Sequence, residues 1–432
     1  METPESENSQ PQPQSQTSSQ QLIDSQQSIV SQEPEAANQS HQSEQEHHPH
    51  HPHQSEQEHH PHHPHQSEQP QYTVIPDQAV EKSHRFVELA QKINSSVGLD
   101  APFKLRLKEV FSDVFVKHTE EDAENLFFVG TKQTTPNIEN VMDHWPKPWL
   151  FARIFIIVGL LYFGLFIGVE QFQNINFLPG LITMGSFMVP LTILIFFWEL
   201  NAPKNISIYK IIKILFIGGL VSLFIAVFIF ENIITGASVI IIGIVEEVAK
   251  LLVTLWFLRD KRYNYIFNGL LIGAAVGTGF AAFESAGYAL QMALFDNLDR
   301  MYSTIFWRGV LAPGGHIVWA ALSGAAICMV KGNRNFKWSM LRDFRFLEIF
   351  GLVVVLHSLW NIQWGTVMQV PLAQICFTII SWIFALGVLN LALKELIQLK
   401  ENHAQQQNDM ISQEQSETID PIPVEQQSNI ST

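Results

Sequence analysis

Residues 237–258 read ASVIIIGIVEEVAKLLVTLWFL. The run holds 22 residues, enough to cross a bilayer as a helix. Near its centre it carries Glu246, Glu247 and Lys250. Charged side chains at that depth are costly, so they face protein or water and mark function by default. Glu246 and Lys250 are spaced i,i+4, in the order that favours an ion pair on one helix face. Glu247 points about 100° away. The expectation is that Lys250 neutralises Glu246 and leaves Glu247 available for chemistry.

Seven further apolar runs flank this one. Together they predict an all-α, polytopic membrane bundle of about eight spans, near 150–170, 177–200, 209–230, 236–258, 266–293, 304–330, 347–367 and 372–394. The connections alternate in Lys and Arg. EQFQNIN, ENIIT and QWGTVMQVP carry none, whereas NAPKNISIYKIIK, RDKRY and KGNRNFKWSMLRDFR are basic. The positive-inside rule places the basic side, and both termini, in the cytoplasm, most simply at a cell (inner) membrane. FDNLDRMYSTIFWR breaks the alternation, because Arg300 and Arg308 fall on the outer side.

The ends differ from the middle. Residues 1–77 are rich in Gln, Ser, Pro, Glu and His, with HQSEQEHHPHHP at 41–52 repeated at 53–64. Such a segment cannot bury enough apolar surface to offset chain entropy and is expected to be disordered. Its His clusters are of a kind that can bind zinc, copper or nickel, although a low-complexity repeat with incidental metal affinity is the expectation. The acidic segment 399–432 is expected to be a disordered tail as well. The two tails carry roughly −18 against a net charge of −15 for the chain, so the middle is slightly basic. Residues 78–146 read as a small cytosolic helical region, with helical spacing in VEKSHRFVELAQKI and FKLRLKEVFSDVFVKH. The domain from 147 to 398 holds the bundle. Cys328 and Cys376 show no metal spacing and imply no disulfide. No cleavable signal peptide is expected, and no nucleic-acid partner.

Polar residues inside the spans gather on four consecutive helices. Beyond the EEVAK segment they are Glu284 in GFAAFESAGY, His316 in LAPGGHIVWAALSG, and His357 with Asn361 in LHSLWN. Measured from the span centres, these acids and imidazoles fall within a slab of under about 10 Å. Phe280 shares a face with Glu284, and Asn361 shares one with His357. Gly269, Gly273 and Gly277 form a small-residue stripe suited to close helix packing. PGG at 313–315 is expected to break the sixth span beside a polar cavity.

In this order EEVAK, FAAFE, His316 and HSLWN resemble the EExxK, FxxxE and histidine motifs of the PrsW family of intramembrane proteases. That family is related to the prenyl-protein (CAAX) endopeptidases, which usually have His at the place of Glu284 and Arg at the place of Lys250. The resemblance covers about 150–395. It implies a glutamic-type hydrolase cutting peptide bonds of membrane-anchored proteins; the founding member cleaves an anti-sigma factor. Carried over by motif, the catalytic candidates are Glu246, Glu247, Glu284, His316 and His357, supported by Lys250, Asn361 and Phe280. In the mechanism this suggests, Glu247 takes a proton from water. One histidine orients that water, and the other with Asn361 stabilises the oxyanion. No cofactor is expected on that reading. A divalent metal such as zinc is the rival chemistry, with His316, His357 and Glu284 as its donors, although no HExxH-type motif is present. A transporter or proton pathway, or a membrane scaffold, are the alternatives. The first three spans are bare and the next four loaded, unlike the inverted repeat that transport favours.

Overall fold

The computed structural model describes residues 107–234, 238–362, 364–366 and 370–417. The His-rich repeat and the expected helix in VEKSHRFVELAQKI lie outside them. Within the described residues the membrane part is helical throughout: α1 (Leu150–Glu170), α2 (Leu178–Leu200), α3 (Ile208–Asn232), α4 (Val239–Leu258), α5 (Ile266–Phe295), α6 (Leu298–Leu311), α7 (His316–Lys331), α8 (Phe344–Trp360) and α9 (Leu372–Glu417). Helices are the natural answer to long apolar runs, since each satisfies its own backbone where no water is at hand. Several starts are set locally. Ser207, Ser238, Asn297 and Asp343 each accept from a backbone N–H two or three residues on, at α3, α4, α6 and α8. Two starts are set by tertiary contact. Glu199 at the end of α2 accepts the N–H groups of Trp149, Leu150 and Phe151 at 2.9 Å, and Glu395 on α9 accepts that of Ile266 at 2.7 Å. Carboxylates at helix N-termini meet both the free donors and the positive end of the dipole.

Six segments are long and apolar enough to cross a membrane: 150–170, 175–200, 208–232, 266–295, 298–331 and 372–415. Of the eight predicted spans, two do not qualify on those grounds. α4 carries three charges, and α8 is 17 residues long. Both are nonetheless packed into the bundle, against α7 and each other, and α4 also against α5. The sixth span is two helices, α6 and α7, joined by a 3₁₀ turn at Ala312–Gly314 where PGG predicts the break. α9 continues to Glu417, through residues expected to belong to the acidic tail. Its extension is made of good helix formers and is held by Lys400 on Val141 and Asp143 and by Gln407 on Glu139. Within the described part of FKLRLKEVFSDVFVKH, residues 107–118, there is a short helix, Leu107–Val110, followed by turns. Phe111 is stacked on Phe196, and Ser112 and Asp113 bond each other, a local alternative to helix.

α5 is the central helix: 94% of its most apolar stretch is buried, against 6% for α1, which presents Phe155, Ile156, Leu160 and Phe163 outward. α5 packs most extensively on α7. The glycine stripe makes that approach. A Cβ on Gly269, Gly273 or Gly277 would sit 2.3, 2.0 or 2.3 Å from the carbonyl oxygens of Gly324, Ala320 and His316. Backbone against backbone at this distance admits no side chain, and it carries His316 to the wall of α5. The basic connections meet at one end of the bundle. Asn205 donates to the Arg262 carbonyl, Asn264 to Asn333, and Lys331 to the carbonyls of Tyr263 and Asp260.

Candidate functional site

Four of the helices converge on one cluster. Glu246, Glu247 and Lys250 come from the middle of α4, Glu284 from α5, His316 from the first residue of α7 and His357 from the last turn of α8. The charge pairing expected within α4 is corrected here. Lys250 Nζ lies 2.7 Å from Glu247 Oε1, an i,i+3 contact, with both side chains at most 1% exposed. Helical spacing permits either partner; the neighbouring helix decides, because His357 Nδ1 sits 2.7 Å from the same oxygen and draws Glu247 into the centre. Glu246 is the carboxylate left without a fixed cation in hydrogen-bond reach: its Oε2 is buried and has no hydrogen-bond partner.

The donors fix the histidines. Glu247 Oε1 accepts from an ammonium, so His357 Nδ1–H must donate to it. His357 Nε2 then presents a lone pair, and it has no hydrogen-bond partner. What it faces is Glu246 Oε2, 3.5 Å away. His316 is held the same way. Lys250 Nζ, a donor only, is 2.8 Å from Nδ1, so Nε2–H points to Glu284 Oε2 at 3.1 Å. Each histidine thus gives one nitrogen to a carboxylate and keeps the other as an acceptor. Each of those carboxylates has its own cation: Lys250 on Glu247, and Arg308 on Glu284 at 2.5 Å.

Aromatic rings set the orientations. Trp319, one turn after His316, stacks on His357 at 4.7 Å between ring centroids, and its Nε1 is anchored by Ser381 of α9 at 3.0 Å. Phe280 lies beneath Lys250 Nζ at 4.4 Å and beside His316 at 5.1 Å. Asn361 follows α8, buried, its amide nitrogen without a partner among the described residues.

Ligand atoms of Glu246, His316 and His357 lie within 4.8 Å of one another, the one such trio of His, Cys, Asp or Glu among the described residues. This corrects the donor set expected for a metal, which had Glu284 in place of Glu246. Glu284 is spent on Arg308 and on His316 Nε2–H. Glu246 and His357 fit a divalent ion by their own chemistry, and His316 would join them by exchanging the Lys250 hydrogen bond on its Nδ1 for the ion. Two buried acceptors that face each other at 3.5 Å with no donor call for a cation or a proton between them. Both histidines also carry the outer carboxylate that metal-binding imidazoles almost always have.

Arg308 is the residue that sequence reasoning misplaced. The sequence places it in the connection before the sixth span; in the structure it lies on α6, bound to Glu284, donating to Ser285 at 2.9 Å and packed over Tyr288 at 4.6 Å. The signal was its violation of the charge alternation. The cluster is closed at one end and open at the other. Side chains of Glu246, Glu247 and His357 are 4%, 0% and 0% exposed, whereas Glu284, His316 and Arg308 are 10%, 13% and 26%.

Residues 207–389 match the family model described as PrsW family intramembrane metalloprotease. No curated protein and no solved structure matches the chain.

Proposed function

We propose that this chain, whose residues 207–389 match the PrsW family model, is an endopeptidase with a divalent-metal centre held by Glu246, His316 and His357. Its substrates are membrane-anchored proteins, an anti-sigma-factor-like protein by family resemblance. The observation that carries this reading is the donor-free contact of Glu246 Oε2 with His357 Nε2, both buried. When bound, a divalent ion supplies Lewis acidity toward a peptide carbonyl and acidifies water.

The chain's own residues do the rest. Glu247 holds His357 by its Nδ1–H, and Glu284 holds His316 by its Nε2–H, so both rings keep one tautomer and one orientation. Lys250 and His357 both bind Oε1 of Glu247, which leaves Oε2 without a partner to accept the proton of the attacking water. Lys250 Nζ is the fixed positive charge beside the trio and stabilises the oxyanion that develops on the scissile carbonyl. The backbone of the substrate enters at the open rim, between α5, α6 and the start of α7. The basic end of the bundle faces the cytoplasm.

Metal analysis tests this. The purified protein is expected to hold about one divalent ion per chain. Exhaustive chelation removes the ion and the cleavage of a membrane-anchored reporter together, and zinc restores both. His357→Ala is expected to lose the ion even before activity is assayed. Full activity in metal-free protein would sink the metal centre and leave Glu246 as a water-activating carboxylate.

Arg308 acts through Glu284 as a positioning residue. Arg308→Gln is expected to lower kcat/KM about 10–100-fold and to weaken metal retention by a similar factor. Arg308→Lys keeps the charge but not the fork that reaches both Glu284 and Ser285, and should recover part of the loss. Wild-type kcat/KM and metal retention in Arg308→Gln would remove it from the machinery.

A further inference from the structure

At the basic end of the bundle, the connection after α4 (259–265) and the connection between α7 and α8 (332–343) enclose a cleft of ≈ 720 Å³. Lys261, Arg334, Lys337 and Arg342 line it, with Asp343 as its one acid. The two connections are tied to each other by hydrogen bonds. Asn264 Nδ2 donates to Asn333 Oδ1 at 2.9 Å, and the buried Lys331 Nζ donates to the carbonyls of Tyr263 and Asp260.

The two acids nearby are already matched by other cations. Arg345 grips Asp343 through Nε and a terminal nitrogen at 3.1 and 3.0 Å. Its hydrogen bond holds the Asp343 carboxyl below the usual carboxylate range, so Asp343 stays ionised and paired. Arg262 does the same for Asp260, at 2.6 Å. Neither arginine lines the cleft. The guanidinium of Arg334 is directed to the carbonyls of Val330 and Lys331, where it covers the end of α7. The cleft therefore concentrates positive charge that its own acids do not cancel.

Its place in the fold says which anion fits. The cleft lies where α4 and α7 end and α8 begins, at the boundary of the membrane helices. Large apolar side chains stand out from the same segment: Trp338 at 67%, Phe344 at 70% and Leu347 at 49% exposure. An exposed Trp among basic residues at a helix end is the pattern of the membrane interface. We propose that this cleft is a headgroup site for an anionic phospholipid, with the phosphodiester between Lys261, Lys337 and Arg342 and the acyl chains beside Trp338 and Phe344. Basic pockets at helix ends recognise lipid headgroups in this way.

The test uses the full chain in neutral detergent, titrated with dioleoyl phosphatidylglycerol or dioleoyl phosphatidylcholine and read by native mass spectrometry. Wild type is expected to bind phosphatidylglycerol at least about tenfold more tightly. Lys261→Gln/Lys337→Gln/Arg342→Gln should erase that preference. Lys204→Gln/Lys213→Gln/Lys394→Gln, which removes equal charge elsewhere, should keep it. The proposal fails if the triple cleft variant retains the preference, or if the control variant loses it equally. It fails too if inorganic phosphate displaces the lipid at matched concentration, since a free anion would then satisfy the site. Should the triple variant not fold, Lys337→Gln alone decides: an unchanged preference there overturns the proposal.

Discussion

Glu246→Gln is expected to abolish proteolysis while leaving the bundle folded. The substitution keeps the shape of the side chain and removes its charge, at a residue that is 3% exposed. Its Oε2 has no hydrogen bond to lose, so the fold should tolerate the change and melt close to metal-free wild type, the ion's own stabilisation being lost in both. The chemistry should not. An amide is a poor ligand beside His316 and His357, and losing several kcal/mol of transition-state stabilisation costs on the order of 10³-fold in rate. Cleavage of a membrane-anchored reporter and metal content should fall together. Retained cleavage with Glu246→Gln would exclude this carboxylate from the centre.

The second large effect is on stability. Glu247 and Lys250 form a buried ion pair at 2.7 Å, with side-chain exposures of 0% and 1%. Removing one partner leaves the other charged in the protein interior, which costs about 3–5 kcal/mol. Lys250→Met should therefore destabilise strongly, since it also leaves Glu247 beside Glu246 without a cation. Glu247→Gln should destabilise too, and it frees His357 Nδ1 from its carboxylate. The double variant Glu247→Gln/Lys250→Met should be less destabilised than the sum of the singles by about 1–3 kcal/mol. Reversible unfolding in mixed micelles measures this. The cycle Glu246→Gln with Lys250→Met should show a smaller coupling; the larger coupling there would restore the pairing that helical spacing alone suggests.

Much of the site was legible in the chain. Glu246, Glu247, Glu284, His316 and His357 stood out because ionisable residues are rare in apolar runs, and a common depth on successive helices predicted that they meet. The structure brings all five together, with Lys250 and Phe280 among them. Arg308 stood out only as an anomaly of topology. Its helix is short, and nothing in FDNLDRMYSTIFWR says that α6 folds back against Glu284. Trp319 had no signal, since an apolar run conceals which aromatic faces inward.

The sequence by itself determined the helices, the break at PGG, the glycine stripe on α5 and the identity of the ionisable residues, because each follows from local chemistry or from the cost of charge in an apolar run. Only the tertiary structure decided who pairs with whom. Lys250 reaches both i−3 and i−4, and the choice of Glu247 follows from His357, 110 residues away, arriving at the same oxygen. That choice leaves Glu246 facing a bare imidazole nitrogen. Which of two adjacent carboxylates is held and which is free is a property of the helices packed around them, and periodicity on one helix cannot contain it.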